Sequence, residues 1–137
     1  MDKCNALTLL KEHELKVTKQ RKLLLDEIIE IEESFSANTL YQNMHNEMDM
    51  ATVYRILNIF KEKRIIREIL SIDDTKYFEL SCIHHPVHPH FFCKKCNNIV
   101  CLDQLKDQDL MILKKYSQDL TIDDIKISFT GLCNKCK

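Results

Sequence analysis

The residues with the most specific chemistry are sulfur and imidazole donors. Cys93-Lys94-Lys95-Cys96 and Cys133-Asn134-Lys135-Cys136 form two C-x-x-C pairs separated by 36 residues. Two-residue spacing lets both thiolates of a pair reach one ion from a tight turn. Two such turns complete the sulfur tetrahedron that structural zinc prefers. Four thiolates exceed the charge of a divalent ion, and Lys94, Lys95 and Lys135, inside the pairs, offset the excess. A site closed by four protein sulfurs has no open position, so it is expected to pin the C-terminal end of the chain near Cys93 and to catalyse nothing. The competing chemistry is a dithiol oxidoreductase using Cys93 and Cys96. That reaction ordinarily needs one C-x-x-C at a helix N-terminus, which two separated pairs fit less well.

A second donor cluster precedes the first pair. Residues 82–90 read Cys82-Ile83-His84-His85-Pro86-Val87-His88-Pro89-His90. If this stretch is extended, His88 and His90 project from one face, because side chains alternate along a strand. Glu79 and Cys82 lie nearby in sequence, and Cys101 follows Cys96 by five residues. These groups can converge on a second divalent ion, with the choice among His84, His85, His88 and His90 left open. Mixed imidazole and thiolate donors suit Zn2+ better than Fe2+ or Mn2+, which lean on oxygen and nitrogen donors. The plainer alternative is loop histidines and a cysteine serving as a small core residue.

The elements that must position these donors differ between the two halves of the chain. Residues 1–70 contain no Gly or Pro. Leu7, Leu10 and Val17 suit a short amphipathic helix, and Thr18 can cap a second that carries Arg21, Leu24, Leu25 and Ile28 to residue 31. Ser36 can cap a third through Met44. A fourth starts after Asp49, with Val53, Ile56, Leu57 and Phe60 at i, i+3, i+4 and i+7. The β-branched and aromatic stretches 64–70 and 76–80, joined by Asp73-Asp74-Thr75, read as a hairpin. Helices followed by a hairpin describe a winged helix, with a small helical domain carrying a hairpin and no DNA role as the alternative on pattern alone. Further on, 99–102 reads as a strand, 105–120 as a helix with Leu110, Leu113 and Tyr116 at helical spacing, and 125–129 as a strand ending near Gly131. The expected fold class is α+β: a winged helix-turn-helix domain over 1–80 and a small α/β dimerisation domain over 81–137.

Composition narrows the function. The chain has 137 residues and a formal net charge of -1. Residues 1–80 carry 12 basic and 15 acidic side chains, against 8 and 6 in 81–137, so any nucleic-acid contact must use a local basic patch. No apolar run is long enough for a membrane span and no secretory leader is evident, so a cytoplasmic protein is expected. Seven cysteines in such a chain point to metal ligation rather than disulfides.

Several strings together resemble the ferric-uptake-regulator family along nearly the whole chain. They are Thr18-Lys19-Gln20-Arg21, Ser36-Ala37-Asn38-Thr39-Leu40-Tyr41, Ala51-Thr52-Val53-Tyr54-Arg55-Ile56-Leu57-Asn58, Phe78-Glu79-Leu80, and His88-x-His90-x-x-Cys93-x-x-Cys96. The resemblance implies a homodimeric, metal-dependent transcriptional repressor of metal-uptake genes that binds a double-stranded DNA operator, with no enzymatic activity, small-molecule substrate or membrane partner. It makes the helix near Ala51 the recognition helix, with Tyr54 and Arg55 towards the major groove and Thr52 near a phosphate. Lys16 matches a lysine that approaches the minor groove, while Lys19 and Arg21 would hold phosphates.

Departures from the family pattern bear on the metal. Iron- and peroxide-sensing members use a histidine where this chain has Ser34, a frequent carboxylate is Cys101 here, and a further histidine is Ile125. Cys82 looks like the cysteine of zinc-sensing members. The expected sensor set is therefore Cys82, His88, His90 and Cys101, aided by Glu79, and responsive to zinc. An iron- or peroxide-responsive regulator is the alternative within the family. A zinc-stapled interaction protein without DNA binding is the alternative outside it.

Overall fold

The computed structural model describes residues 4–81 and 86–137. Cys82, His84 and His85 lie outside them. The chain divides into two compact units, Met1–His85 and Pro86–Lys137.

In the first unit each helix begins where a short polar side chain satisfies an otherwise orphaned amide. Asn5 caps α1 (Ala6–Glu12), Thr18 caps α2 (Lys19–Ile31), Ser36 caps α3 (Ala37–Met44) and Asp49 caps α4 (Met50–Glu62). The sequence placed the last three correctly. On α1, Leu10 is buried as expected, but its buried neighbour is Leu9, whereas Leu7 and Val17 are exposed to about two-fifths (38% and 39%) and Val17 lies beyond the helix. The short stretch β1 (Phe35–Ser36), unforeseen because two residues carry no periodicity, pairs antiparallel with β3 (Thr75–Leu80). That strand in turn pairs with β2 (Ile66–Ile72), giving a three-stranded sheet of order β1-β3-β2.

The β2–β3 hairpin closes on a two-residue turn, since Ile72 faces Thr75. Both turn residues take positive φ, 47° at Asp73 and 67° at Asp74. Such turns match the right-handed twist of the flanking strands, and Asp tolerates the left-handed region better than most residues. Thr75, expected in the turn, opens the second strand. Under the hairpin and the helices lies one apolar cluster, with Leu10, Leu24, Leu25, Phe35, Leu40, Phe60, Ile65 and Ile66 sealed from solvent.

The second unit is a three-stranded sheet of order β5-β4-β6, with β4 (His90–Cys93) in the centre. It pairs antiparallel with β5 (Ile99–Cys101) and parallel with β6 (Ser128–Gly131), so the chain must cross over between β5 and β6. That crossover carries α5 (Asp107–Lys114). The helix is shorter than residues 105–120 suggested. None of its residues is buried, and Tyr116, 80 % exposed, falls beyond it. The last strand runs 128–131 rather than 125–129. The alternation at 125–129 is real, but pairing with β4 begins only at Ser128.

Candidate metal centres and nucleic-acid interface

The parallel register of β4 and β6 sets Cys93 opposite Gly131, two residues before Cys133. Each strand then runs into a turn that carries its second cysteine. On one side Asn97 N donates to Cys93 O at 2.9 Å, with Asn97 at φ 61°. On the other Cys136 N donates to Cys133 O at 3.0 Å. Lys94 N donates to Gly131 O at 2.8 Å and ties the turns together. The four sulfurs thus gather with all Sγ atoms within 4.8 Å of one another. Cys96 Sγ and Cys133 Sγ are 3.8 Å apart. Zinc–sulfur bonds of about 2.3 Å require a tetrahedral edge of about 3.8 Å. The donor set and its spacing therefore fit a structural zinc ion.

The local electrostatics favour thiolates at this site. Backbone amides of Cys96 and Cys133 point at the buried Cys93 sulfur and bring its pKa from 9.0 down to about 6. The thiol of Cys136, donating to Cys133, lowers the Cys133 pKa. The same contact pushes Cys136 up to about 12. An arriving ion thus finds Cys93 ionised at neutral pH, while Cys136 must release a proton. The amides that stabilise Cys93 were not identified from sequence, because they depend on the turns rather than on side-chain type.

The second cluster lies on the other edge of the same sheet. Register pairs His90 with Cys101 across β4 and β5. His88 and His90 do share a face, with ring centroids 4.4 Å apart. Donor atoms of His88, His90 and Cys101 lie within 4.8 Å of one another. His90 is buried and Cys101 is exposed. His88 Nδ1 sits 3.1 Å from Pro86 O. With Nδ1 donating to that carbonyl, Nε2 is left as the nitrogen able to take a metal. An open cleft of about 470 Å3 adjoins His88 and Cys101 and is also lined by Leu102, Asp103 and Gln104. Asp103 and Gln104 escaped the sequence reading; their one signal was proximity to Cys101. Glu79 belongs to the first unit, where it is buried and its Oε1 accepts from Arg67 Nε at 2.6 Å.

In the first unit, α4 turns Val53, Ile56, Leu57 and Phe60 into the core. Tyr54, 52 % exposed, and Arg55 lie off that face, as the spacing required. Asp49 Oδ1 accepts from Thr52 N at 2.8 Å, and hydrogen bonding from Thr52 holds the Asp49 carboxyl below its usual range. Thr52 itself is buried, so it has the least surface to offer a phosphate. Lys16 and Lys19 are exposed beside the start of α2. Arg21 is partly buried, and its Nη1 donates to Lys16 O at 2.9 Å, which orients the α1–α2 connection.

The profile of the Ferric uptake regulator family matches residues 12–129. The chain belongs to this family. It is 30% identical over 140 residues to the ferric uptake regulation protein of Staphylococcus epidermidis, covering 100% of this chain and 98% of that one. The corresponding protein of Staphylococcus aureus is 31% identical over 141 residues, covering 100% and 99%. Among solved structures, the Vibrio cholerae ferric uptake regulator superposes with a TM-score of 0.70 at 28% identity, over 92% of this chain and 98% of that one. The α+β architecture expected from sequence, a winged helix followed by a small α/β domain, is the architecture of these structural neighbours. As a family member the protein is a metal-binding, DNA-binding transcription regulator of metal uptake. No helix among the described residues is long and apolar enough to cross a membrane.

Proposed function

We propose that this protein is a zinc-responsive repressor of metal-uptake genes, acting in the cytoplasm as a homodimer on an operator of double-stranded DNA. The observation that carries the zinc assignment is Cys101. A thiol beside two imidazoles, His88 and His90, supplies a soft donor that suits zinc better than manganese(II) or a carboxylate-rich iron(II) site. Cys82 is the proposed fourth donor, and Glu79 a further candidate, both on the strength of the sequence. A bound ion there supplies a fixed link among chain segments rather than Lewis-acid chemistry. Cys93, Cys96, Cys133 and Cys136 hold the structural ion.

In this reading Arg55 makes the bidentate base contact for which guanidinium is shaped, Tyr54 packs against a base edge, and Lys16, Lys19 and Arg21 fix the protein on the phosphates, with Thr52 at most a minor contributor. Two copies present two α4 helices, and metal at the sensing cluster sets the spacing at which both fit one duplex. Self-association is supported by the apolar side chains the second unit leaves in solvent, among them Met111, Ile112, Leu120, Ile122 and Phe129.

An iron-responsive regulator is the second reading, favoured by the names of the staphylococcal relatives. One experiment separates the two. Protein keeping its structural zinc but stripped at the second cluster is offered Zn2+, Fe2+ or Mn2+, and binding is followed to duplexes selected from a random pool. Restoration by Zn2+ at far lower free concentration than by the others is the expected result. Restoration by Fe2+ alone would transfer the assignment to iron.

A further inference from the structure

The wing carries an unusual charge balance for an element beside a DNA-reading helix. Between residues 66 and 80 it has two basic side chains, Arg67 and Lys76, and four acidic ones, Glu68, Asp73, Asp74 and Glu79. Arg67 and Glu79 face each other across β2 and β3 and pair at 2.6 Å, both largely buried. Lys76 is then set against Glu68, Asp73 and Asp74. Glu68 is four-fifths buried, and its Oε1 lies 3.8 Å from Lys76 Nζ on the wing and 3.6 Å from Lys61 Nζ in the last turn of α4. One carboxylate oxygen therefore lies within ion-pair range, though beyond hydrogen-bond distance, of a lysine from the recognition helix and a lysine from the wing. The turn beyond them presents two exposed aspartates, where positive φ at both positions makes Asn or Gly equally serviceable. Turn geometry alone does not call for their charge.

We propose that Glu68 and the Asp73-Asp74 tip make the wing an electrostatic governor of DNA affinity. Glu68 withholds Lys61 and Lys76 from phosphate, and the tip repels the backbone. Phosphate contacts supply sequence-independent affinity. Weakening them keeps a single head from holding DNA by charge alone, so attachment depends on the base contacts of α4 in two heads correctly spaced. The inference rests on the reading that α4 enters the groove.

The test uses the full-length zinc-loaded protein and three variants: Glu68→Gln, the double variant Asp73→Asn with Asp74→Asn, and Arg55→Ala. Affinity for a selected duplex and for an unrelated duplex is measured across a salt series. Glu68→Gln should tighten binding to both duplexes and steepen the plot of log affinity against log salt by about one for each lysine released per head. The double Asn variant keeps the turn. It should tighten binding most at low salt, and the gain should fade as the screening length shrinks to about 10 Å near 0.1 M. If both wing variants superimpose on the parent, or bind more weakly, the governor is overturned. Arg55→Ala separates that failure from a failure of the underlying reading. It should lower affinity for the selected duplex on the order of tenfold or more with little change on the unrelated one. If Arg55→Ala has no effect, the placement of α4 in the groove falls, and the governor with it.

Discussion

The first unit is held by a core and the second is not. From Ala6 to Leu80 one continuous set of apolar side chains is buried. Among the described residues of the second unit, only His90 and Cys93 are buried, and both are metal-ligand types. Its helix buries nothing, and Met111, Leu120, Ile122 and Phe129 are each more than half exposed. A unit of this size with so little buried apolar surface needs a staple, a partner or both. The difference teaches where regulation can reside. A closed core has one stable arrangement, whereas a unit organised by coordination bonds and an interface responds to whatever changes the ions.

The sharpest way to break the comparison is to remove one sulfur. Cys133→Ser should unfold the metal-holding turns and leave the first unit intact, because structural zinc contributes on the order of 10 kcal/mol to small sites of this kind. Amide exchange resolved along the chain checks this: protection should vanish in residues 93–98 and 131–137 and persist in α2 and α4. Uniform loss across both units would contradict the division.

A pair of phenylalanines gives the next largest contrast. Phe60→Ala, at a site with no solvent exposure, should cost about 3–5 kcal/mol in denaturant unfolding of the first unit. Phe129→Ala, at a site 52 % exposed, should barely change the unfolding of an isolated chain and should instead weaken self-association, read by sedimentation. An equal stability loss at both positions would mean that the second unit has a core of its own.

A smaller and more graded effect is expected from pH. The Cys93 pKa of about 6 lies below its ordinary 9.0, so the thiolate supports the folded turns at higher pH and the support is lost as pH falls through about 6. Cys136, raised to about 12, keeps its proton at neutral pH and must lose it when an ion binds. Zinc affinity of the four-sulfur site should therefore fall at least tenfold per pH unit on acidification from neutral, and more steeply below about 6. Competition titration against a chelator across pH measures this slope, and a flat profile would show that no proton is displaced.

How much was readable from sequence follows the same division. Thr18, Ser36 and Asp49 announced three helices because capping and i, i+3, i+4 spacing are local rules, and a core then rewards them. In the second unit the C-x-x-C pairs and the alternation of His88 and His90 were legible, because two-residue spacing and strand alternation are local too. The ends of α5 and β6 were not. Leu110, Leu113 and Tyr116 keep helical spacing, yet in the single chain the two leucines are only partly covered and Tyr116 is exposed, so periodicity there marks no fully buried face. The pairing of β4 with β6, which brings Cys133 to Cys93, is a non-local parallel register that no window of sequence contains.

The most direct test titrates zinc into metal-stripped protein while amide exchange and binding to a selected duplex are followed together. The first equivalent should protect residues 93–98 and 131–137 without conferring DNA binding, and the second should confer it. In a His90→Ala variant the first step should survive and the second disappear. Tight duplex binding by the fully stripped protein, or by His90→Ala at the parent's affinity, would contradict the account.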